Sequence, residues 1–118
     1  MLVIDVVEDK LLISFKEAKR FNSAHLRKIE NELHIYFEKN ISTVILNLKG
    51  IDFIDSESFI LLSEISKKIR MNNAIFHICN ASVSILDLIS NTQLPCIKDI
   101  KNSINHISLC DVFPLSLN

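Results

Sequence analysis

Glycine occurs once in this 118-residue chain, at Gly50, and tryptophan does not occur at all. A single glycine leaves no Gly-rich loop that could close its backbone N–H groups around a phosphate, so nucleotide binding has no sequence basis. The three cysteines, Cys79, Cys96 and Cys110, are far apart and include no Cys-x-x-Cys pair. That spacing makes neither a disulfide framework nor a zinc site, and they are expected as small buried residues. Of the four histidines, His25 and His34 stand nine residues apart and His77 and His106 lie in other segments, which is no metal-ligand spacing. His77 and Cys79 alternate onto one strand face, but no third group orients them as a nucleophile and base. No catalytic residue, metal or cofactor is therefore expected, and the chain does not read as an enzyme.

Charge of one sign is also missing. Thirteen basic residues face fourteen acidic ones, for a net charge of -1, and the basic residues cluster only at Lys67, Lys68 and Arg70. Such a chain makes no broad field to attract nucleic acid. No apolar run is long enough to cross a bilayer, and Met1-Leu2-Val3-Ile4-Asp5 lacks the basic lead of a signal peptide. A cytoplasmic protein with no direct membrane insertion is expected.

What is present is an apolar, well-patterned chain: 48% hydrophobic and 23% charged, enough to fold compactly as one domain over residues 1–118. Met1 to Val7 and Leu11 to Phe15 are β-rich runs around the charged turn Glu8-Asp9-Lys10, which predicts a hairpin. After Asn22 or Ser23, each a good N-cap, Leu26, Ile29, Leu33 and Phe37 recur on one helical face. Thr43 to Leu48 predicts a strand, followed by a turn at Lys49-Gly50 and a loop to Asp55. The next helix carries Phe59, Leu62, Ile65 and Ile69 and ends near Asn72-Asn73. Ala74 to Cys79 is a further strand, and Ser82 caps a short helix with Val83, Leu86 and Ile89. Ile97 is expected in a strand stub, Asp99 as the cap of a last helix with Ile100, Ile104 and Ile107, and residues 110–118 as an irregular tail.

Alternating strands and helices imply parallel strands joined by right-handed crossovers. A sequential strand order puts the helices mainly on one face of a mixed sheet and leaves the other face partly wet, with Asp5, Ser14, Asn47 and His77 on it. The expected core is Leu26, Ile29, Leu33, Leu46, Phe59, Leu62, Ile65, Phe76, Ile78 and Leu86.

The segment from Val44 to Leu62 concentrates the functional signal. An aliphatic strand, Val44-Ile45-Leu46-Asn47-Leu48, is followed by Phe53-Ile54 and then by Asp55-Ser56-Glu57-Ser58 at a helix start, where unpaired N–H groups and the helix dipole favour negative charge. In this order of elements the segment resembles the STAS domain, the module of bacterial anti-sigma factor antagonists, stressosome proteins and the cytosolic tails of sulfate transporters. The family pattern is a strand ending in Asp, then Asp-Ser-Ser/Thr-Gly opening a helix. The resemblance implies an α/β STAS fold, and a phosphorylated Ser or Thr two residues after the motif Asp. Here that place is Glu57, the glycine place is Ser58 and the strand-end Asp is Asn47.

A carboxylate at 57 has no hydroxyl to modify and carries about -1 charge against roughly -1.5 to -2 for phosphoserine, so it reads as a partial phosphomimetic. It also complements a helix dipole by about 0.3–1 kcal/mol without any further role. Asp55 fits an N-cap, and Ser56 and Ser58 are the neighbouring candidate phosphoacceptors. The resemblance implies a non-enzymatic interaction module with Asp55, Ser56, Glu57, Ser58, Ile60, Leu61 and Glu64 in the partner footprint. Its partner would be a kinase-like anti-sigma factor. The alternative is a small STAS subunit of a lipid-transport complex that binds a transporter ATPase subunit and needs no phosphoacceptor.

Overall fold

In a computed structural model, described for residues 2–91 with Ile100 and Asn102, the chain opens with a hairpin of β1 (Leu2–Val7) and β2 (Lys10–Phe15). The chain reverses at Glu8, which takes φ 58°, and the Asp9 carboxylate accepts from the Ser42 hydroxyl. A two-residue strand β3 (Arg20–Phe21) leads into helix α1 (Ser23–Phe37). Asn22 caps it, its side-chain oxygen accepting from the His25 N–H at 3.1 Å. Strand β4 (Thr43–Asn47), strand β5 (Phe53–Ile54), helix α2 (Ser56–Met71), strand β6 (Ile75–Cys79) and helix α3 (Val83–Asn91) follow.

The main sheet has the order β1-β2-β4-β6, antiparallel in the hairpin and parallel beyond it, and β3 pairs with β5 in a separate small sheet. The expected sequential order and mixed sheet are both found. One face of the sheet presents Leu11, Ile13, Val44, Leu46, Phe76 and Ile78, which pack with Leu26, Ile29 and Leu33 of α1 and Phe59, Leu62, Ile65 and Ile69 of α2. Burying each such side chain contributes about 1.5–3 kcal/mol, so this shared core fixes where α2 begins.

Three expectations need correction. Leu86 is only half-buried, because α3 starts at Val83 with the Ser82 hydroxyl accepting from the Ile85 N–H (3.2 Å), and Ile85 and Ile89 face the core instead. The second sheet face is not wet at its centre. Leu12 and Ile45 are register partners there and form, with Cys79 and Val7, a second apolar cluster beside the buried Ser14 and Asn47, while Asp5 and His77 at the row's ends are half-buried. Cys79 is buried but also disulfide-bonded, a pairing that residue spacing does not reveal because it depends on proximity in space. The Ile97 strand stub, the Asp99 cap and the tail lie outside the described residues; of the last expected helix, Ile100 is helical and buried.

Candidate functional site at the start of the second helix

The turn after β4 sets up the site. Asn47 is buried, and its side-chain oxygen accepts from the Lys49 N–H (3.0 Å) and from the Asn80 side-chain amide (3.2 Å), joining the loops after β4 and β6. The next residues close a β-turn in which the Leu48 carbonyl accepts from the Ile51 N–H at 3.0 Å. Gly50 occupies its third position with φ +87°, the left-handed region in which an L side chain is strained. Asp52 then donates its N–H to the Lys19 carbonyl (2.7 Å), and Arg20 and Phe21 pair with Phe53 and Ile54. This short ladder brings the Arg20 guanidinium over the Phe53 ring, 4.7 Å from its centroid, next to the start of α2.

Asp55 is the N-cap, extended at φ -83° and ψ 171°, and its carboxylate accepts from the Ser58 N–H at 2.8 Å. Its carboxyl is held below the usual carboxylate range, first by the nearby Ser58 hydroxyl, then by the Ser58 N–H, with the Arg20 charge adding to both. The directed hydrogen bond of that hydroxyl goes to the Phe21 carbonyl, at 3.4 Å. Ser58 is therefore a structural link between α2 and β3 and is fully buried. Ser56 is exposed.

Glu57 is also exposed, with its Oε1 3.2 Å from an Arg27 guanidinium nitrogen on α1. Farther along the helix, Ile60 and Glu64 face solvent. Leu61, expected on the surface, is instead 8% exposed and packs into the core, because it lies on the side of α2 that faces α1. The outward surface at this end of the molecule is thus Phe53, Ser56, the Glu57–Arg27 pair, Ile60 and Glu64, with the Asp55 cap behind them.

Sequence reasoning missed Arg20 and Arg27, and it placed Phe53 in the motif but not in the partner footprint. Arg20 and Phe53 lie in strands too short for any periodicity, and Arg27 stands thirty positions before its partner. Among the described residues no group of three His, Cys, Asp or Glu side chains could hold a metal ion, and no helix is long and apolar enough to cross a membrane.

Comparison with known proteins agrees with this geometry. The profile of the STAS domain matches residues 4–107. The anti-sigma factor antagonist SpoIIAA in its unphosphorylated form superposes with a TM-score of 0.72 at 11% identity, covering 94% of this chain and 91% of that one. The protein TM1081 of Thermotoga maritima gives a TM-score of 0.65 at 16% identity, covering 93% and 91%. The murine anion transporter Slc26a9 gives 0.61 at 13% identity, with 85% of this chain matched to 16% of the transporter. No curated protein matches the chain at a significant level.

Proposed function

The chain belongs to the STAS domain family, as a non-enzymatic regulatory module that acts through protein contacts, and we propose that it works like an anti-sigma factor antagonist whose phosphoswitch is lost. The observation that carries this reading is Glu57 at the phosphoacceptor place: exposed, without a hydroxyl, and paired with Arg27 at 3.2 Å. The neighbouring hydroxyl of Ser58 is buried, so only Ser56 offers a phosphate acceptor next to it. A partner docking on Ser56, Glu57, Ile60 and Glu64 would meet a fixed charge pair in place of a reversible phosphate. The alternative, a STAS subunit that binds the ATPase of a lipid-transport complex, is favoured by the same missing hydroxyl, since it requires no modification at 57.

The deciding experiment is affinity capture on the purified chain, with Ser56→Arg as control, followed by mass spectrometry. A kinase-like anti-sigma factor captured by the wild type and lost with Ser56→Arg supports the proposal. An ATPase with membrane subunits under the same control transfers the reading to the transport complex. Capture that is indifferent to Ser56→Arg overturns the docking site.

A further inference from the structure

Helix α2 presents to solvent a stripe made of Ile60, Glu64, Lys67 and Met71. At about 100° per residue these four positions fall within an arc of roughly 60°, and they span about 16 Å along the helix. The apolar members are open to solvent, Ile60 at 44% and Met71 at 82% exposure. The charged residues beside the stripe turn to α1: Glu57 pairs with Arg27 at 3.2 Å and Lys68 with Glu30 at 3.3 Å. Glu64 and Lys67 have no salt-bridge partner among the described residues. The stripe therefore reads apolar, acidic, basic, apolar along the chain.

That order is complementary to itself when reversed. We propose that a second copy of this chain docks on the stripe, with the two α2 helices antiparallel about a twofold axis between positions 65 and 66. Ile60 then meets the partner's Met71, and Glu64 meets the partner's Lys67, each contact occurring twice as an isologous interface requires. A parallel arrangement places Glu64 against Glu64 and Lys67 against Lys67, so charge selects the antiparallel register. The stripe is narrow, and the contact belongs at the weak, reversible end of protein association. Ile60 and Glu64 also lie in the proposed partner footprint. If that reading holds, dimer and partner complex exclude one another, but the dimer itself does not depend on it.

Sedimentation equilibrium of the purified full chain tests this without any partner protein. The wild type should pass from monomer to dimer between micromolar and millimolar concentration. Glu64→Lys and Lys67→Glu each set like charges together at both contacts and should weaken the dimer about tenfold or more. The double variant restores complementarity and should dimerise to within about threefold of wild type, and an equimolar mixture of the two single variants should form a mixed dimer. Circular dichroism checks that each variant is folded. A wild type that stays monomeric to about 1 mM, single variants that dimerise normally, or a double variant that fails to recover would each overturn the proposal.

Discussion

Replacing Asp55 by Ala removes the acceptor at 2.8 Å from the Ser58 N–H, and Ser58 is fully buried, so water has little access to the donor left behind. Loss of an N-cap ordinarily costs about 0.5–2 kcal/mol, and a buried orphan N–H puts this site toward the upper end, near 2 kcal/mol. Asp55→Asn keeps an acceptor and loses only the charge facing the helix dipole, about 0.3–1 kcal/mol. The expected order of stability at neutral pH is therefore Asp, then Asn, then Ala. The gap between Asp and Asn should depend on pH in one direction. Because the folded carboxyl titrates below its unfolded value of about 3.9, its contribution is complete above that value and is lost as pH falls through the lower folded value. Urea unfolding of the three proteins at pH 7 and at successively lower pH measures this, with equal m-values confirming comparable unfolding. An Ala variant within about 0.5 kcal/mol of wild type, or an Asp–Asn gap that does not narrow in acid, would refute the capping argument.

Three further outcomes are expected. A double-mutant cycle of Glu57→Ala and Arg27→Ala should give a coupling of about 0.2–1 kcal/mol that shrinks with salt, since both side chains are 61% exposed; a coupling unaffected by 1 M salt contradicts the ion pair. Gly50→Ala should destabilise by about 1–2 kcal/mol through its positive φ alone, because the nearest atom to the added Cβ is the Ala18 carbonyl oxygen at a comfortable 3.7 Å. Thermal unfolding checks it, and an unchanged midpoint would show that the turn does not need the left-handed conformation. Asn47→Ala should cost about 1–3 kcal/mol, as it orphans the Lys49 N–H and frees the Asn80 amide; stability equal to wild type in urea unfolding would remove Asn47 as the link between the two loops.

The long elements were legible because each shows a full period: Leu26, Ile29 and Leu33 repeat on a helical face, and Val44, Leu46, Phe76 and Ile78 alternate along strands. Leu86 misled because Val83, Leu86 and Ile89 form a helical stripe as plausible as the true pair Ile85 and Ile89, and nine residues are too few to separate them. The strands of two residues gave no pattern, and they are what carries Arg20 and Phe53 to the site. The apolar cluster of Leu12, Ile45 and Cys79 was hidden by polar neighbours, since Ser14 and Asn47 mark the same face as wet and yet are buried. Asn47 resolves this by having its side-chain acceptor occupied twice, which a strand-end Asp or Asn can equally do.

The charge of the site was the least legible of its properties, and it decides how Glu57 is read. From the sequence alone Glu57 is a bare carboxylate at a helix start, part-way to a phosphoserine. With Arg27 at 3.2 Å the surface offers a nearly neutral pair instead. Two long side chains that are both 61% exposed hold such a pair by about 0.2–1 kcal/mol, a barrier that a partner's own cation can displace at little cost. A partner that brings a well-placed Arg or Lys takes over the Glu57 carboxylate and meets a negative charge. One that lacks it meets the ion pair and reads no charge. On the proposed reading, phosphomimicry at Glu57 is set by whether the partner displaces Arg27, and Arg27→Ala should, by calorimetry, raise affinity for the first kind of partner and lower it for the second, which then meets an unpaired carboxylate.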